Sequence, residues 1–290
     1  KNPLITASGT CGYGRELSEL FDLSLLGGIA VKGTTLKPCI GNKPPRIAET
    51  ASGMLNSIGL QNPGVDAVIA NELPFLHSFD TAVIVNIAGH ALHEYGELAD
   101  KLDAVPGVAA LEVNISCPNV AEGGMAFGVE PKMAEQVISL VRSKTKLPVI
   151  AKLTPNVRNI AEIARACEAA GADGIALINT LLGMAIDVET RRPLLTSRCG
   201  GLSGPAIKPV ALQMVWQAAR AVPIPIIGMG GIMNAIDAVE FLLAGASAFQ
   251  IGTALFYNPL CPLRIIEELI EWCDRHGVKQ IGELVGALKQ

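Results

Sequence analysis

The sequence has few aromatic and charged residues: 4% are Phe, Trp or Tyr and 17% are Asp, Glu, Lys or Arg. A nucleic-acid groove needs clustered basic side chains and stacking rings. The low aromatic content and the net charge of -4 therefore argue against one. Half of the residues are hydrophobic, which excludes a disordered chain and allows a large core. We expect a compact protein whose partner is a small molecule.

The sequence also lacks long apolar runs and closely spaced cysteine pairs of the C-x-x-C type. The apolar runs are broken by Gly, Pro, Asn or Lys well before the ~18 residues that a membrane span needs, and the first residues show no basic-then-apolar pattern of the kind that predicts a signal peptide. We therefore expect a cytoplasmic location and no membrane contact. The seven cysteines form no C-x-x-C pair, which argues against a disulfide scaffold or a zinc ribbon, and we predict no metal site. Because Lys1 lies next to an apolar strand, we expect a short segment to precede it.

Eight short apolar segments recur along the chain, as expected for strands buried on both faces of a parallel sheet. They are Leu4–Ala7, Gly28–Val31, Ala82–Ile87, Leu111–Ile115, Val149–Leu153, Gly174–Ile178, Ile224–Met229 and Ala248–Ile251. Helical periods lie between most of them, at His93–Ala104, Pro131–Thr145, Asn159–Ala170, Pro205–Ala221 and Asn234–Ala244, with a last helix at Pro262–His276. The alternation predicts an α/β fold, a TIM (β/α)8 barrel, with a doubly wound open sheet as the alternative. We expect one domain over residues 1–290, with long, functional loops at about 32–80 and 180–204.

In a TIM barrel the active site lies where the strands end, so the residues at or just after the end of each apolar segment are the candidates. Polar or small residues stand at all eight ends: Ser8, Lys32, Asn86, Asn114, Lys152, Asn179 with Thr180, Gly230 with Gly231, and Gly252 with Thr253. The glycines after the last two strands suit a phosphate group, because their backbone can approach an anion closely. The strand ends therefore predict a site for a phosphorylated ligand.

Cys117 is the sharpest candidate for chemistry, because it follows a strand end and precedes a glycine-rich segment. A cysteine there could act as a general base or as a nucleophile. Gly123, Gly124 and Gly128 suit a lid over residues 117–130 that excludes water. Lys152 could offset negative charge on a bound group or form a Schiff base. From these residues alone, a Schiff-base aldolase acting on a phosphorylated substrate and a non-catalytic phospholigand-binding barrel remain alternatives.

Many motifs together resemble one family, the class 1B dihydroorotate dehydrogenases, in their catalytic subunit. The motifs run in order over nearly the whole chain and include ASGTCGYG, VKGTTLKP, GMLNSIGLQNPG, EVNISCPNV, AKLTPNV, IPIIGMGGI and AGASAFQIGTALF. The resemblance implies a barrel that binds one FMN and oxidises (S)-dihydroorotate to orotate in pyrimidine biosynthesis. It also implies a partner subunit with FAD and an iron-sulfur cluster, which passes electrons to NAD in a heterotetramer of two of each.

The resemblance carries over to individual positions of this sequence. It implies FMN contacts at Ser8, Lys32, Gly33, Asn86, Asn114, Lys152, Ile178, Gly204, Gly230, Gly231, Gly252 and Thr253. It implies substrate contacts at Lys32, Asn56, Ser57, Ile58, Gly59, Leu60, Asn114, Asn119, Asn179 and Thr180. Cys117 matches the base that removes the C5 proton of dihydroorotate, and Lys152 is the counter-charge for the reduced flavin.

The residue types suit this chemistry. A thiol with an ordinary pKa of about 8.5 is a usable base near neutral pH. Asparagine amides both donate and accept, which matches the alternating N–H and C=O groups of a pyrimidinedione. A class 1A-like homodimer that reduces fumarate and the related dihydropyrimidine dehydrogenase domain are the neighbouring alternatives.

Overall fold

In a computed structural model, the protein forms a closed barrel of eight parallel β-strands. The model describes residues 1–116, 118–119 and 125–289, with the backbone alone at 118–119 and 125–126. The strands are β1 (Leu4–Thr6), β2 (Gly28–Ala30), β3 (Ala82–Ile87), β4 (Val108–Asn114), β5 (Val149–Lys152), β6 (Gly174–Leu177), β7 (Ile226–Met229) and β8 (Ala248–Ile251). Each strand pairs with its sequence neighbours and β8 closes against β1. The predicted TIM barrel is confirmed, and the open sheet is excluded.

Helices alternate with most of the barrel strands, as the sequence predicts. The six long ones are α1 (Leu92–Asp103), α2 (Pro131–Lys144), α3 (Ile160–Ala169), α4 (Lys208–Ala221), α5 (Ala235–Leu243) and α6 (Cys261–His276). Short α-helices lie at Arg15–Ser18, Val65–Ala67, Leu73–Leu76 and Ala254–Tyr257, a π-helical segment at Val68–Glu72, and 3-10 turns at Leu23–Leu25, Phe127–Val129, Pro205–Ile207 and Ile281–Leu284. Among the described residues, every helix is too short or too polar to cross a bilayer.

Capping residues explain where several helices begin and end. The side chain of Asn159 accepts a hydrogen bond from the backbone N–H of Ala161 at the start of α3, and Asn234 does the same for Asp237 in α5. Gly277 ends α6 in the left-handed conformation, at φ 68°. The predicted helix boundaries agree closely, except that the turn at Pro205–Ile207 is 3-10 and α4 starts only at Lys208.

The period of two along each strand divides its side chains between two cores. Outward residues such as Leu111, Val113 and Phe249 pack against the surrounding helices. The lower interior of the barrel is apolar and includes Ile84 and Ile150. One step of two residues further along β3, β4, β5 and β8, the same inward face carries polar side chains: Asn86, Glu112, Lys152 and Gln250. The barrel is therefore filled by apolar residues below and polar ones above.

The two long connections contribute to one additional sheet. Strands Ile47–Thr50 and Gly53–Asn56 come from the 32–80 connection, and Leu181–Met184 and Cys199–Ser203 come from the 180–204 connection. They form a four-stranded antiparallel sheet in which Asn56 pairs with Gly201. This sheet, which we call the cap sheet, was not anticipated from the sequence. A small hairpin of Ile186–Asp187 and Arg192–Pro193 extends the second connection.

Only part of the predicted lid, residues 117–130, lies among the described residues. Cys117 and residues 120–124 are outside the described residues. The backbone of Pro118–Asn119 pairs with that of Met125–Ala126 in an antiparallel ladder. At the end of the segment the buried ring of Phe127 meets the ring of Tyr95 edge to face, with centroids 5.5 Å apart. The base of the segment is thus fixed to α1, and the lid itself stays a prediction.

Candidate functional site

A cavity of about 380 Å³ opens at the carboxyl ends of the barrel strands, beneath the cap sheet. Every described residue that the resemblance assigns to the flavin lines it, and so does every described substrate residue. Asn119 has no described side chain and Cys117 lies outside the described residues. The sequence-predicted residues are thus brought together in one place, and their individual roles stay predictions.

The floor of the cavity is built around a buried carboxylate. Glu112, on β4, is fully buried. Its Oε1 accepts hydrogen bonds from Asn86 Nδ2 at 2.6 Å and from Lys152 Nζ at 2.9 Å. Its Oε2 accepts one from Gln250 Nε2 at 2.7 Å. A buried carboxylate is tolerated only when it is paired and hydrogen-bonded, and this one has both a cation and two amides.

These hydrogen bonds determine which way the two amides face. A carboxylate only accepts, so Asn86 and Gln250 must turn their NH₂ groups toward Glu112 and their oxygens away from it. Asn86 Oδ1 and Gln250 Oε1 are buried and have no hydrogen-bond partner among the described residues. Both residues line the cavity. Because buried acceptors are normally satisfied, this pair indicates a ligand with an N–H or O–H donor.

A cluster of asparagines and hydroxyls forms one wall. Asn179 Nδ2 donates to Ser116 Oγ at 3.0 Å and to Asn114 Oδ1 at 3.4 Å. The backbone N–H of Thr180 donates to Asn179 Oδ1 at 2.8 Å. Asn156 contributes from outside by donating to the carbonyl oxygen of Thr180 at 3.1 Å. The wall is a fixed array of donors and acceptors suited to a polar, planar molecule.

The loop 56–60 also lines the cavity, and three asparagine side chains hold its backbone in place or tie it to a neighbouring strand. Asn42 Nδ2 donates to the carbonyl oxygen of Ser57 at 3.0 Å, and Asn62 Nδ2 donates to that of Leu60 at 2.6 Å. Asn56 Nδ2 donates to the carbonyl oxygen of Gly201 at 3.3 Å and so ties the loop to the cap sheet. Asn42 and Asn62, which brace the loop but do not line this cavity, were not predicted from the sequence.

Lys32 also lines the cavity and provides positive charge there. Burial lowers the pKa of its ammonium, and the nearby positive charge of Arg46 lowers it further, while Cys39 acts in the opposite direction. Desolvated positive charge of this kind attracts an anionic group more strongly than a solvated lysine does. Lys32 is therefore placed to receive the carboxylate or another anionic group of a ligand.

Glycines allow the backbone to close around the far end of the cavity. Gly231 has φ 81°, and a Cβ there would lie 2.8 Å from the carbonyl oxygen of Gly204. Gly204 itself has φ 97°. Thr253 and Ser203 share a hydrogen bond between their hydroxyls at 2.8 Å beside them. Close backbone approach with hydroxyl donors is what a phosphate site requires.

An FMN-sized group fits the chemistry of these residues. The unsatisfied amide oxygens suit the N–H of the flavin ring, Lys152 supplies positive charge, and the glycine backbone suits a terminal phosphate. Glu112 and Gln250, like Asn42 and Asn62, were not predicted from the sequence. Glu112 lies two residues before the end of its strand and Gln250 one residue before the end of its own, and the period of two could have placed both on the inward face.

Comparison with known proteins agrees with the geometry. The family model described as dihydroorotate dehydrogenase matches residues 1–272. The chain is 57% identical over 288 residues to "Dihydroorotate dehydrogenase B (NAD(+)), catalytic subunit" of Geotalea uraniireducens, covering 99% of this chain and 94% of that protein. It is 60% identical over 286 residues to the protein of the same name in Desulforamulus reducens, again covering 99% and 94%. With the Geobacter sulfurreducens protein of that name, identity is 56% over 289 residues, 100% of this chain and 95% of the relative.

These relatives carry the B-type, NAD(+) name, which confirms the class 1B resemblance of the motifs. They match along almost their whole length, so the likeness is not limited to the barrel core. The chain belongs to the dihydroorotate dehydrogenase family.

Proposed function

We propose that this chain is a catalytic subunit that oxidises (S)-dihydroorotate to orotate with one bound FMN. The observation that carries the proposal is the convergence of all the described flavin and substrate candidates on one cavity, with unsatisfied acceptors at its floor. FMN, when bound, accepts the hydride from C6 of dihydroorotate. The chain's own residues bind the two molecules and handle the proton and the charge.

Three parts of the cavity would bind FMN: the floor, the glycine backbone and a threonine hydroxyl. Asn86 and Lys152, which line the floor, would contact the flavin ring, and the backbone around Gly204 and Gly231, with the Thr253 hydroxyl, would hold the phosphate. Lys152 Nζ has one hydrogen bond to Glu112 and two further N–H groups to direct at the ring. Its positive charge offsets the negative charge that reduction places on the flavin.

The wall of asparagines and hydroxyls, together with the loop 56–60, orients dihydroorotate. The amides of Asn114 and Asn179 pair with the N–H and C=O groups of the pyrimidine, and Lys32 attracts its carboxylate. Cys117 removes the C5 proton as general base. Ser116, its neighbour in the sequence, accepts a hydrogen bond from Asn179 in this wall. Asn119 is the remaining substrate candidate from this segment.

The Schiff-base aldolase is less well supported. Lys152 Nζ donates to the buried Glu112 carboxylate at 2.9 Å, and an ammonium held in an ion pair has no free lone pair for attack on a carbonyl. The fumarate-reducing alternative is disfavoured by the NAD(+) name of the relatives.

Purified protein is expected to be yellow and to contain one FMN per chain. After FMN is removed, titration of the apoprotein with FMN should quench flavin fluorescence to an endpoint of about one equivalent. Gly231→Ala should weaken this binding at least tenfold, because its Cβ meets the Gly204 carbonyl oxygen at 2.8 Å and the φ of 81° is strained for alanine. Gly282→Ala is the matched control, since nothing lies within 4 Å of that Cβ. A colourless chain whose apoprotein does not take up FMN would contradict the proposal.

Transfer of electrons to NAD⁺ is expected to need a second subunit. We propose a partner with FAD and an iron-sulfur cluster in a heterotetramer of two of each, in the cytoplasm. The isolated chain should bleach its flavin with dihydroorotate yet fail to reduce NAD⁺, and the complex co-purified with an untagged partner should do both. Equal NAD⁺ reduction by the chain alone, or reoxidation by fumarate at the same rate, would argue against this assignment.

A further inference from the structure

The buried Glu112 carboxylate lies behind the cavity floor, and it is not among the FMN or substrate contacts that the family resemblance implies. It accepts from Lys152, Asn86 and Gln250 at 2.6–2.9 Å. All three donors line the cavity, whereas Glu112 does not. It therefore acts on a ligand through the three donors that it holds.

The three donors come from three different strands. Asn86 lies on β3, Lys152 on β5 and Gln250 on β8, and Glu112 on β4 meets all of them inside the barrel. No two of these donors share a strand, and the carboxylate joins their side chains across the barrel. In the register of β4 with β3, Glu112 is directly opposite Asn86.

We propose that Glu112 is a positioning residue for FMN, which rests on the proposed function. Its first effect is on the side-chain amides of Asn86 and Gln250. Because Glu112 accepts hydrogen bonds from their NH₂ groups, Asn86 Oδ1 and Gln250 Oε1 face the cavity as acceptors. The oxidised isoalloxazine ring has one N–H group, and these oxygens are suited to it. Its second effect is on Lys152, whose ammonium it fixes and whose charge it partly cancels.

Both effects have measurable consequences in Glu112→Gln. A glutamine replaces one accepting oxygen by an NH₂ group, so at least one donor loses its acceptor or turns over. FMN binding to the apoprotein should weaken at least tenfold. The variant also leaves the Lys152 charge uncompensated, which favours the reduced, more negative flavin. The equilibrium constant for two-electron reduction should rise at least tenfold, a potential increase of about 30 mV.

The control is a second buried carboxylate that holds a lysine outside the cavity. Asp237 is 7% exposed and accepts from Lys208 Nζ at 2.6 Å. Asp237→Asn should leave the flavin potential within 10 mV of wild type, on the order of a twofold change in the same constant. A loss of FMN affinity caused only by a disturbed fold would not raise the flavin potential in Glu112→Gln while leaving it unchanged in Asp237→Asn. Glu112→Asp, which keeps the charge, should restore part of the wild-type potential.

Fluorescence titration gives the FMN affinity, and spectroelectrochemistry at saturating FMN gives the potential. Wild-type affinity and potential in Glu112→Gln would overturn the inference, as would an equal potential shift in Asp237→Asn. If Glu112→Gln does not fold, Gln250→Met tests the same network: it removes one amide and should weaken FMN binding at least tenfold, and unchanged binding would reject the inference. Failure of the wild-type apoprotein to bind FMN would instead reject the proposed function.

Discussion

Replacing Cys117 with alanine is expected to slow dihydroorotate-driven flavin reduction by about 10²- to 10⁴-fold, the range for loss of a general base. FMN affinity should not change, because the flavin candidates are provided by the barrel strand ends and the glycine loops. Stopped-flow absorbance under anaerobic conditions measures the reduction step directly. It separates proton and hydride transfer from any later electron transfer to a partner.

A matched substitution elsewhere distinguishes a base from a general effect of losing a thiol. Cys199 is exposed on the cap sheet, so Cys199→Ala removes the same group from outside the cavity. It should reduce flavin at the wild-type rate. Cys117→Ala with a wild-type reduction rate would mean that another group takes the C5 proton.

The barrel and most of its boundaries could be predicted because each strand is a short, mostly apolar run. Ala82–Ile87 and Ala248–Ile251 match the structure residue for residue, and both are buried by helices outside and by side chains within. The polar residues at the strand ends also converge on one cavity as expected, since parallel strands bring their carboxyl ends to one face.

The cap sheet could not be predicted in the same way. Its strands Ile47–Thr50 and Gly53–Asn56 are short and only partly buried, so they lack a continuous apolar signal. Asn56 finds its pairing partner at Gly201, far along the chain, and local sequence carries no information about such a distant pairing.

Glu112 was missed for a different reason. The predicted site residues lie at the ends of the apolar segments, whereas Glu112 lies two residues before the end of its strand, between the apolar residues Leu111 and Val113. A charged residue there faces the barrel interior by the period of two and needs a partner. The partner, Lys152, belongs to the next strand and is known only from the closed barrel.

Replacing Lys152 with methionine is expected to be among the most destabilising changes in the chain. The Lys152 ammonium and the Glu112 carboxylate are 2.9 Å apart, with side chains 6% and 0% exposed. Removing one partner leaves a buried charge without its counter-charge, which costs about 3–5 kcal/mol. Urea unfolding of the apoprotein measures this loss without the contribution of bound FMN. Lys101→Met is the control: its ion pair with Asp66 is 2.6 Å long but exposed, so the loss should stay below about 1 kcal/mol.

The double variant Lys152→Met with Glu112→Gln tests whether the uncompensated charge is the cause. If it is, the double variant removes both charges and should be more stable than Lys152→Met alone, although it carries one more substitution. If the cost came from lost packing of the lysine side chain, the second substitution would add its own destabilisation. A double variant less stable than Lys152→Met would therefore exclude the electrostatic explanation. Flavin reduction should be slow in both variants, because neither retains the positive charge that offsets the reduced ring.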